Sequence, residues 1–233
     1  MTTKNEFGQP VGVPLGTWAP PPFPPRRALE GRTVNLIPLD PERDRDALFD
    51  AVSGAAGPLW TYMAFGPFES VADFETTLDS LVAQEDWLPY TIFVEQRAVG
   101  FACYLRVQPD DGVIEIGSIV FSPQLQRSTA ATEAIYLMLQ NVFELGYRRC
   151  EWKCDDLNAP SRVAADRLGF IYEGTFRQAT HYKGRNRDTA WYAIVNRDWP
   201  ALDAAFQRWL APANFDDEGR QRKSLREMRE GLE

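Results

Sequence analysis

The sequence is poor in the residues on which most metal sites and hydrolase triads depend. Among 233 residues it has one histidine, His181, and three cysteines, Cys103, Cys150 and Cys154. The cysteines fall inside apolar stretches and lack the second pair that structural zinc requires, so we expect reduced, buried thiols and no metal cofactor. The usual serine and cysteine hydrolase triads are excluded unless His181 acts as their general base, and no G-x-S-x-G sequence is present.

Positive charge and long apolar runs are scarce as well. The 25 Lys and Arg residues face 33 Asp and Glu residues, which leaves a net charge of −8. This balance speaks against nucleic acid, which proteins bind through Lys and Arg on phosphates, and suits a cationic partner such as an amine. No apolar run approaches the roughly 20 residues that span a bilayer, and the first residues lack the apolar core of a secretory signal. We therefore expect a cytoplasmic protein with neither a nucleic-acid nor a membrane partner.

Three regions of different composition follow one another along the chain. Residues 1–30 hold seven prolines, which favour an extended arm, and we expect Trp18 and Phe23 to lay it against the body of the protein rather than present it to another domain. Residues 31–210 show the regular patterns of one folded domain. Residues 211–233 carry nearly balanced charges with few apolar anchors, so we expect a solvated helix or a frayed end.

Alternating apolar residues, helix caps and turn residues predict the order of elements within the domain. Strands are predicted at 33–39, 90–95, 98–107, 113–121, 148–154, 170–172, 175–181 and 189–196. Helices are predicted to start at Asp40, Ser70, Ser128, Asn158 and Asp198. A mostly antiparallel meander followed by β-α-β-α-β-β predicts a mixed α/β or α+β single domain, in which helices flank a central, mostly antiparallel sheet.

The segment Ser122–Glu133, between a strand and a helix, has the composition of an anion-binding loop. A helix start carries unpaired N–H groups and the positive end of the helix dipole, so it holds a diphosphate without many basic side chains. Arg127 adds a cation, Ser128 or Thr129 can cap the helix, and the two alanines that follow allow close approach to the backbone. Polar residues before a helix are also simple caps, and this alternative stays open.

A second polar helix start, Asn158-Ala-Pro-Ser161, is followed by Leu168-Gly-Phe170. An asparagine at this place is most often an N-cap. Together with the loop before it, and with a strand between the two, this segment resembles motif B beside motif A of the GNAT superfamily of acetyl-CoA-dependent N-acetyltransferases. The resemblance covers about residues 33 to 196, and its Asn-x-x-Ser spacing is similar to that of the Rim-like, ribosomal-protein acetyltransferase branch.

The resemblance implies a site for acetyl-CoA as cosubstrate. The family's motif A, Gln/Arg-x-x-Gly-x-Gly/Ala, falls on Gln126, Arg127, Ser128, Thr129, Ala130 and Ala131. Threonine stands where the first glycine is usual, and Asn158 is expected to position the pantetheine arm. In motif B, Ala165 occupies the place of the tyrosine that commonly protonates the leaving thiolate, so the resemblance implies Ser161 as the substitute acid.

The strand before motif A carries a candidate general base. An alkylammonium must lose a proton before its nitrogen can attack a thioester, which requires a carboxylate or a water held by one. Glu115 lies among isoleucines, and a carboxylate in apolar surroundings is poorly solvated and therefore a stronger base. From strand alternation alone, Glu115 could face either solvent or the interior. The resemblance to Rim-like enzymes implies that it lies in the substrate cavity. Gly117 indicates a bulge that frees backbone N–H groups near Val120 and Phe121 for the thioester carbonyl.

Aromatic residues in the loop 57–68 are candidates for the wall of the acceptor pocket, because the resemblance implies that this wall is formed by the loop after the first helix. The candidate substrate-binding residues are Trp60, Tyr62 and Phe68, with Phe65 in the same cluster and Trp152 on the strand after motif A. Simple packing is the alternative for such a cluster. His181 is a candidate proton relay, although a lone histidine near a turn is more often structural or exposed.

These observations predict an enzyme that transfers the acetyl group of acetyl-CoA directly to a primary amine of a small molecule, without a covalent intermediate. A Rim-like acetyltransferase acting on protein N-termini is one alternative. A CoA- or small-ligand-binding module without turnover is another, and a third is an interaction protein recruited through the arm. The sequence leaves open the identity of the amine and whether the chain forms a homodimer.

Overall fold

The structure, a computed structural model, describes residues 2–54 and 57–230. Met1 of the predicted arm and residues 231–233 of the predicted tail lie outside the described residues. The strands are β1 (Thr2–Lys4), β2 (Pro10–Gly12), β3 (Leu29–Glu30), β4 (Asn35–Pro38), β5 (Leu88–Val94), β6 (Arg97–Gln108), β7 (Val113–Phe121), β8 (Arg149–Asp155), β9 (Ile171–Tyr182) and β10 (Arg185–Val195). The helices are α1 (Pro41–Ser53), α2 (Val71–Val82), α3 (Thr129–Glu144), α4 (Ala159–Leu168), α5 (Trp199–Leu210) and α6 (Leu225–Glu230).

Eight of these strands form one mixed sheet in the order β3-β4-β5-β6-β7-β8-β10-β9. All neighbours pair antiparallel except β7 and β8, which run parallel. The parallel pairing joins Val113–Glu115 to Arg149–Glu151 only. Beyond these residues the described parts of β7 and β8 share no ladder pairs, so a gap opens in the middle of the sheet.

Helices cover both faces of the sheet. On one face α3 and α5 bury their apolar sides in a cluster that includes Ile114 and Ile116 of β7. On the other face α1 and α2 pack over Phe101 and Leu105 of β6. Removing both apolar surfaces from water is the main driving force for this arrangement. Among the described residues, no helix is both long enough and apolar enough to cross a membrane.

Four of the five residues predicted to start helices form side-chain caps, whereas Asp198 precedes α5 without a side-chain cap hydrogen bond. The side chains that accept hydrogen bonds from first-turn N–H groups belong to Asp40, Ser70, Ser128 and Asn158. Gly169 ends α4 in the left-handed conformation, with φ of 99°. A side chain there would also come within 2.6 Å of Leu202, so glycine is required at this helix end.

Two predicted strands, 170–172 and 175–181, are one strand, and the predicted break is wrong. Within β9, Gly174 faces Trp191 while Tyr172 faces Tyr192. One residue between Tyr172 and Gly174 is therefore extra, and the ladder absorbs it as a bulge. A glycine inside a strand pattern marks a bulge as readily as a turn, and local sequence does not separate the two.

The second part of the arm lies against the body as expected, whereas its first part is the separate, mostly exposed hairpin of β1 and β2. One of the two predicted anchors is wrong. Trp18 donates its indole N–H to the Gly146 carbonyl at 3.2 Å, and the Arg148 guanidinium lies over its ring. Phe23 is 40% exposed, while Pro21 and Pro24 are buried in its place. The prolines themselves therefore supply much of the apolar contact. The tail is also better anchored than expected, because Leu225 of α6 is buried in the core.

Candidate active site

The gap between β7 and β8 is the centre of the candidate site, and the end of β7 presents backbone groups to it. Ser122 N–H donates to the Val99 carbonyl on the β6 side at 3.0 Å. Val120 also directs its carbonyl towards β6, where a Cβ on Gly100 would lie 2.3 Å from that oxygen. Because N–H groups alternate in direction along a strand, the Phe121 N–H points away from β6, towards the gap, and the Val120 N–H does not.

The loop that follows β7 forms its turn without glycine. Arg127 takes the left-handed conformation, with φ of 60°, at a cost of roughly 1 kcal/mol for a non-glycine residue. Gln126 donates its side-chain amide to the Phe121 carbonyl at 2.8 Å, and Ser128 caps α3 by accepting the Ala131 N–H at 3.0 Å. Thr129 is the first residue of α3, so its β-branched side chain does not have to adopt the conformation that glycine permits.

Several N–H groups at this helix start remain available. Those of Arg127, Thr129 and Ala130 have no acceptor among residues 2–54 and 57–230. Unpaired N–H groups at the positive end of a helix dipole form an anion site. The simple-cap interpretation is therefore incomplete, because Ser128 satisfies only one N–H of this turn.

Glu115 is 4% exposed, but its surroundings are ionic, so the expectation of an apolar environment is wrong. Its Oε2 lies 2.5 Å from Arg106 Nη1 and 2.9 Å from Lys153 Nζ. Arg106 lies on β6, in the left-handed conformation with φ of 49°, and Lys153 lies on β8. The isoleucines beside Glu115 in sequence point to the opposite face of the sheet, into the core.

A chain of ion pairs extends from Glu115 along β8. Lys153 Nζ also lies 2.6 Å from Glu151 Oε2, and Glu151 Oε1 lies 2.8 Å from Arg149 Nε. Arg149 hydrogen-bonds Glu173, which holds the pKa of that carboxyl below its usual value, and the same contact raises the pKa of Arg149. The network comprises Arg106, Glu115, Arg149, Glu151, Lys153 and Glu173. Its charges balance, which is what buried ions require.

Gly117 leaves the space that the Glu115 carboxylate occupies. A Cβ at this position would lie 3.1 Å from Glu115 Oε1 and 3.0 Å from the Leu105 side chain. The predicted bulge follows immediately, with Ser118 in the left-handed conformation at φ of 47°. The spacing Glu-Ile-Gly therefore has a steric reason, because residues two apart in a strand share one face.

The start of α4 places a hydroxyl beside β8. Asn158 accepts the Ser161 N–H at 3.2 Å, as an N-cap does, and its side-chain NH₂ has no acceptor among the described residues. Ser161 Oγ accepts the indole N–H of Trp152 at 3.0 Å and so keeps its own proton for donation. The neighbouring Cys154 thiol has a pKa raised by burial, which makes it a poor nucleophile. Ala165, at the usual tyrosine position, is buried in the core.

The aromatic residues of the loop 57–68 pack against one another, and Trp152 of β8 lies away from them. Trp60 is buried, and its ring lies 5.1 Å from that of Phe68 and 6.0 Å from that of Phe65. Trp152 packs against Phe170 under α4, on the opposite face of the sheet. The structure therefore does not bring Trp152 together with the other candidate acceptor residues. Within the loop set Trp60 is buried, whereas Tyr62, Phe65 and Phe68 are partly exposed.

The hairpin of β9 and β10 reaches across to this loop. Lys183 Nζ donates to the Trp60 carbonyl at 2.7 Å, and Tyr182 donates to Asp155 Oδ2 at 2.6 Å. Burial, with a further contribution from Asp155, raises the pKa of Tyr182 to about 12. Trp191 lies beneath Lys153, with Nζ 3.8 Å from its ring centroid. His181 is exposed at the same hairpin, and its ring has no hydrogen-bond partner among the described residues.

Several residues of this site were not predicted from the sequence. They are Arg106, Glu151, Lys153, Asp155, Tyr182 and Trp191. A signal for Glu151, Lys153 and Asp155 was present in 149–155, where every second residue is charged within a strand whose other residues are apolar. Charged residues on a buried strand face need partners, so this alternation predicts an ionic face.

Comparisons with known proteins agree on one family. The acetyltransferase (GNAT) domain matches residues 33–171, more than half of the chain. A GCN5-related N-acetyltransferase from Brucella melitensis is 45% identical over 93% of this chain and 100% of its own, with a TM-score of 0.90. A GNAT-family protein from Chromobacterium violaceum is 42% identical over 82% and 98%, with a TM-score of 0.79.

A more distant structure shares the fold. An acetyltransferase from Salmonella typhimurium that modifies the N-terminal serine of ribosomal protein L7/L12 is 20% identical, over 72% of this chain and 98% of its own, with a TM-score of 0.64. At this identity the likeness concerns the fold alone. No curated protein matches the chain.

Proposed function

The chain belongs to the GNAT family and is an acetyl-CoA-dependent N-acetyltransferase, and from this premise we propose that its acceptor is the primary amine of a small cationic molecule. The predicted family and the predicted mixed sheet flanked by helices are both confirmed. Likeness to the Rim-like branch extends to the fold. The observation that carries the proposal is the buried, charged surface beside the gap, which holds the carboxylates of Glu115 on β7 and Asp155 on β8. Two aromatic residues contact it, because the Trp191 ring lies under the Lys153 ammonium and the Tyr182 hydroxyl donates to Asp155.

The residues of the gap fit the cosubstrate. Acetyl-CoA supplies the acetyl group as a thioester. The free N–H groups of Arg127, Thr129 and Ala130 suit its diphosphate, and the loop shaped by Gln126 and Ser128 presents them, with Ala131 too small to block the approach. The free side-chain NH₂ of Asn158 suits a carbonyl of the pantetheine arm.

Glu115 removes the proton from the acceptor ammonium, directly or through one water. Its partner Arg106 has a side chain 56% exposed, whereas that of Lys153 is 6% exposed. An incoming ammonium therefore displaces Arg106 at lower cost, because that side chain regains hydration when it leaves. Lys153 stays in place and holds the carboxylate towards the gap. A cationic substrate replaces a cation of the site, which keeps the charges of the network balanced.

Two further groups complete the transfer. The Phe121 N–H donates a hydrogen bond to the carbonyl oxygen of the acetyl group as negative charge grows on it, and Val120 shapes the same end of the strand. Ser161 gives its hydroxyl proton to the departing sulfur, and the second proton that the nitrogen loses on becoming an amide returns through solvent to the serine. The new C–N bond replaces the C–S bond in one direct exchange, and no cysteine of the chain forms an intermediate.

A protein N-terminus is the second candidate acceptor, favoured by the fold likeness to the L7/L12-modifying enzyme. The hydrogen bond from Lys183 to the Trp60 carbonyl argues for a small molecule instead. It joins the hairpin to the loop 57–68 across the acceptor side and narrows the space for a polypeptide, while Tyr62, Trp60 and Phe68 line or support that wall.

An acceptor panel tests the proposal. Release of free thiol from acetyl-CoA is measured with small primary amines, diamines and aminoacyl compounds, and in parallel with peptides that carry free N-termini. We expect kcat/KM for the best small cation to exceed that for every peptide by at least tenfold. Efficient turnover of peptides alone would overturn the small-molecule assignment, and failure of acetyl-CoA to raise the melting midpoint would remove its basis.

A further inference from the structure

Two arginines outside the ion-pair network lie close together without an ion-pair partner. Arg167 is on α4 and Arg229 is on α6, and neither has a carboxylate within ion-pair distance among residues 2–54 and 57–230. Arg229 Nε is buried without a hydrogen-bond partner in the same residues. Burial lowers the pKa of Arg167, and the charge of Arg229 lowers it further. Burial, followed by the charge of Arg226, lowers the pKa of Arg229, although the more distant Glu230 and Asp166 act in the opposite direction.

Arg167 is held in one orientation. Its Nη2 donates to Thr132 Oγ1 at 2.9 Å, and its guanidinium lies over the Trp209 ring at 5.4 Å. The side chain nevertheless remains open to solvent. Arg229 is brought to the same place by the end of α4, where a Cβ on Gly169 would lie 3.0 Å from Arg229 Nη1. A fixed guanidinium loses little further freedom when it binds a ligand.

The pair lies beside the start of α3. Thr132, which Arg167 contacts, is three residues after Thr129, or about 4.5 Å along the helix axis. Its Cβ is tilted towards the N-terminus of the helix, as in every α-helix. Arg167 is therefore about one helical turn from the free N–H groups that suit the diphosphate.

We propose that Arg167 and Arg229 form a binding site for a phosphate monoester, the 3′-phosphate of the coenzyme A nucleotide. The proposal rests on the function proposed above, with the diphosphate at the start of α3. One ribose of coenzyme A carries the diphosphate at its 5′ position and a phosphate monoester at its 3′ position, so two anionic groups lie one sugar apart. The monoester is nearly a dianion at neutral pH, and two guanidinium groups match its charge and its acceptor oxygens.

The test compares binding of coenzyme A with binding of 3′-dephospho-coenzyme A by calorimetry. The wild-type protein is expected to bind coenzyme A at least tenfold more tightly than the dephospho form. In Arg167→Gln combined with Arg229→Gln this ratio falls to about one, because affinity for coenzyme A drops while affinity for the dephospho form stays unchanged. Arg226→Gln is the matched control, since it removes an exposed arginine of the same helix that already pairs with Glu230, and it keeps the wild-type ratio.

Several results would overturn the assignment. A wild-type ratio near one would mean that the pair serves another phosphate, for example that of a phosphorylated acceptor. Equal weakening of both ligands in the double variant would mean that the arginines hold α4 and α6 together instead. Failure of the dephospho form to bind the wild-type protein would reject the diphosphate site itself. An inactive acceptor panel leaves all of these affinities untouched, so the two proposals fail separately.

Discussion

The two faces of β8 are buried to a similar degree, yet they hold opposite kinds of side chain. One face carries Cys150, Trp152 and Cys154, which join the core beneath α3 and α4. The other face carries Glu151, Lys153 and Asp155, which are held by ion pairs and by the Tyr182 hydroxyl. The same seven-residue strand therefore separates a neutral core from a charged, water-poor cleft.

The comparison shows that burial and apolarity are separate properties. Burying an ion costs several kcal/mol of folding free energy unless its partners offset that cost. Replacing a buried ion pair by apolar residues of similar volume often leaves the stability of the protein unchanged or higher. Stability alone therefore does not account for the charged face. Only that face has groups able to accept a proton and to bind a cation, so its position beside the gap is explained by chemistry.

The largest effect is expected when Glu115, the proposed base, is replaced. Glu115→Gln should lower kcat by about 10²- to 10⁴-fold, because the amide cannot take the proton of the ammonium. Thiol release measures the loss, and calorimetry should show unchanged affinity for coenzyme A. Glu173→Gln, at the outer end of the network, is the control and should retain turnover within threefold. If Glu115→Gln were equally active, the charged face would have no catalytic part.

The next largest effect is on the free energy of unfolding, and it compares a substitution on one face of β8 with a substitution on the other. Lys153→Met leaves two buried glutamates without their shared cation and should cost about 3–5 kcal/mol in urea unfolding at neutral pH. Cys154→Ala, on the neutral face, should cost about 1 kcal/mol. Adding Glu151→Gln to Lys153→Met should recover part of the loss. Equal costs for the two single variants would show that the ion pairs are not what the charged face depends on.

On the neutral face a smaller effect on turnover is expected from the Ser161 hydroxyl, the proposed acid, which accepts the Trp152 indole N–H. Ser161→Ala should reduce kcat by about tenfold to a hundredfold, because water replaces the missing acid only in part. Trp152→Phe removes the indole N–H that orients Ser161 and should have a weaker effect in the same direction. A loss in Trp152→Phe as large as that in Ser161→Ala would assign the effect to packing.

The smallest effect is expected at the edge of the charged face. Tyr182→Phe removes the hydrogen bond to Asp155 and should cost about 1–2 kcal/mol. The pKa of Tyr182, raised to about 12, lies above the ordinary value of about 10. Its contribution to stability is therefore complete below about pH 10 and is lost as pH rises towards the folded pKa. Urea unfolding from pH 8 to 11.5 should show the difference between variant and wild type shrinking over that interval, and a constant difference would contradict this account.

Local features of the fold were readable from sequence because their causes are local. The bounds predicted for β7, 113–121, are those of the structure, and the caps at Asp40, Ser70 and Asn158 act through residues two or three positions away. The split of β9 at Gly174 was wrong because a bulge and a turn share the same residue types. What distinguishes them is the opposite strand, which supplies the continuous ladder.

In the candidate site, too, some features could be predicted from local sequence and others could not. Residue order alone was enough for the placement of Glu115, the proposed base, in the strand before the proposed anion-binding loop, for the polar start of α4, and for the glycine two residues after Glu115. The contacts of Glu115 with Arg106 and Lys153, and the meeting of Arg167 with Arg229, needed the tertiary structure. Strand register and helix packing bring together residues 9 to 62 positions apart, from β6 and β7 to α6. A one-residue change of register would turn the strand side chains Arg106, Glu115 and Lys153 to the other face, and no local pattern records that choice.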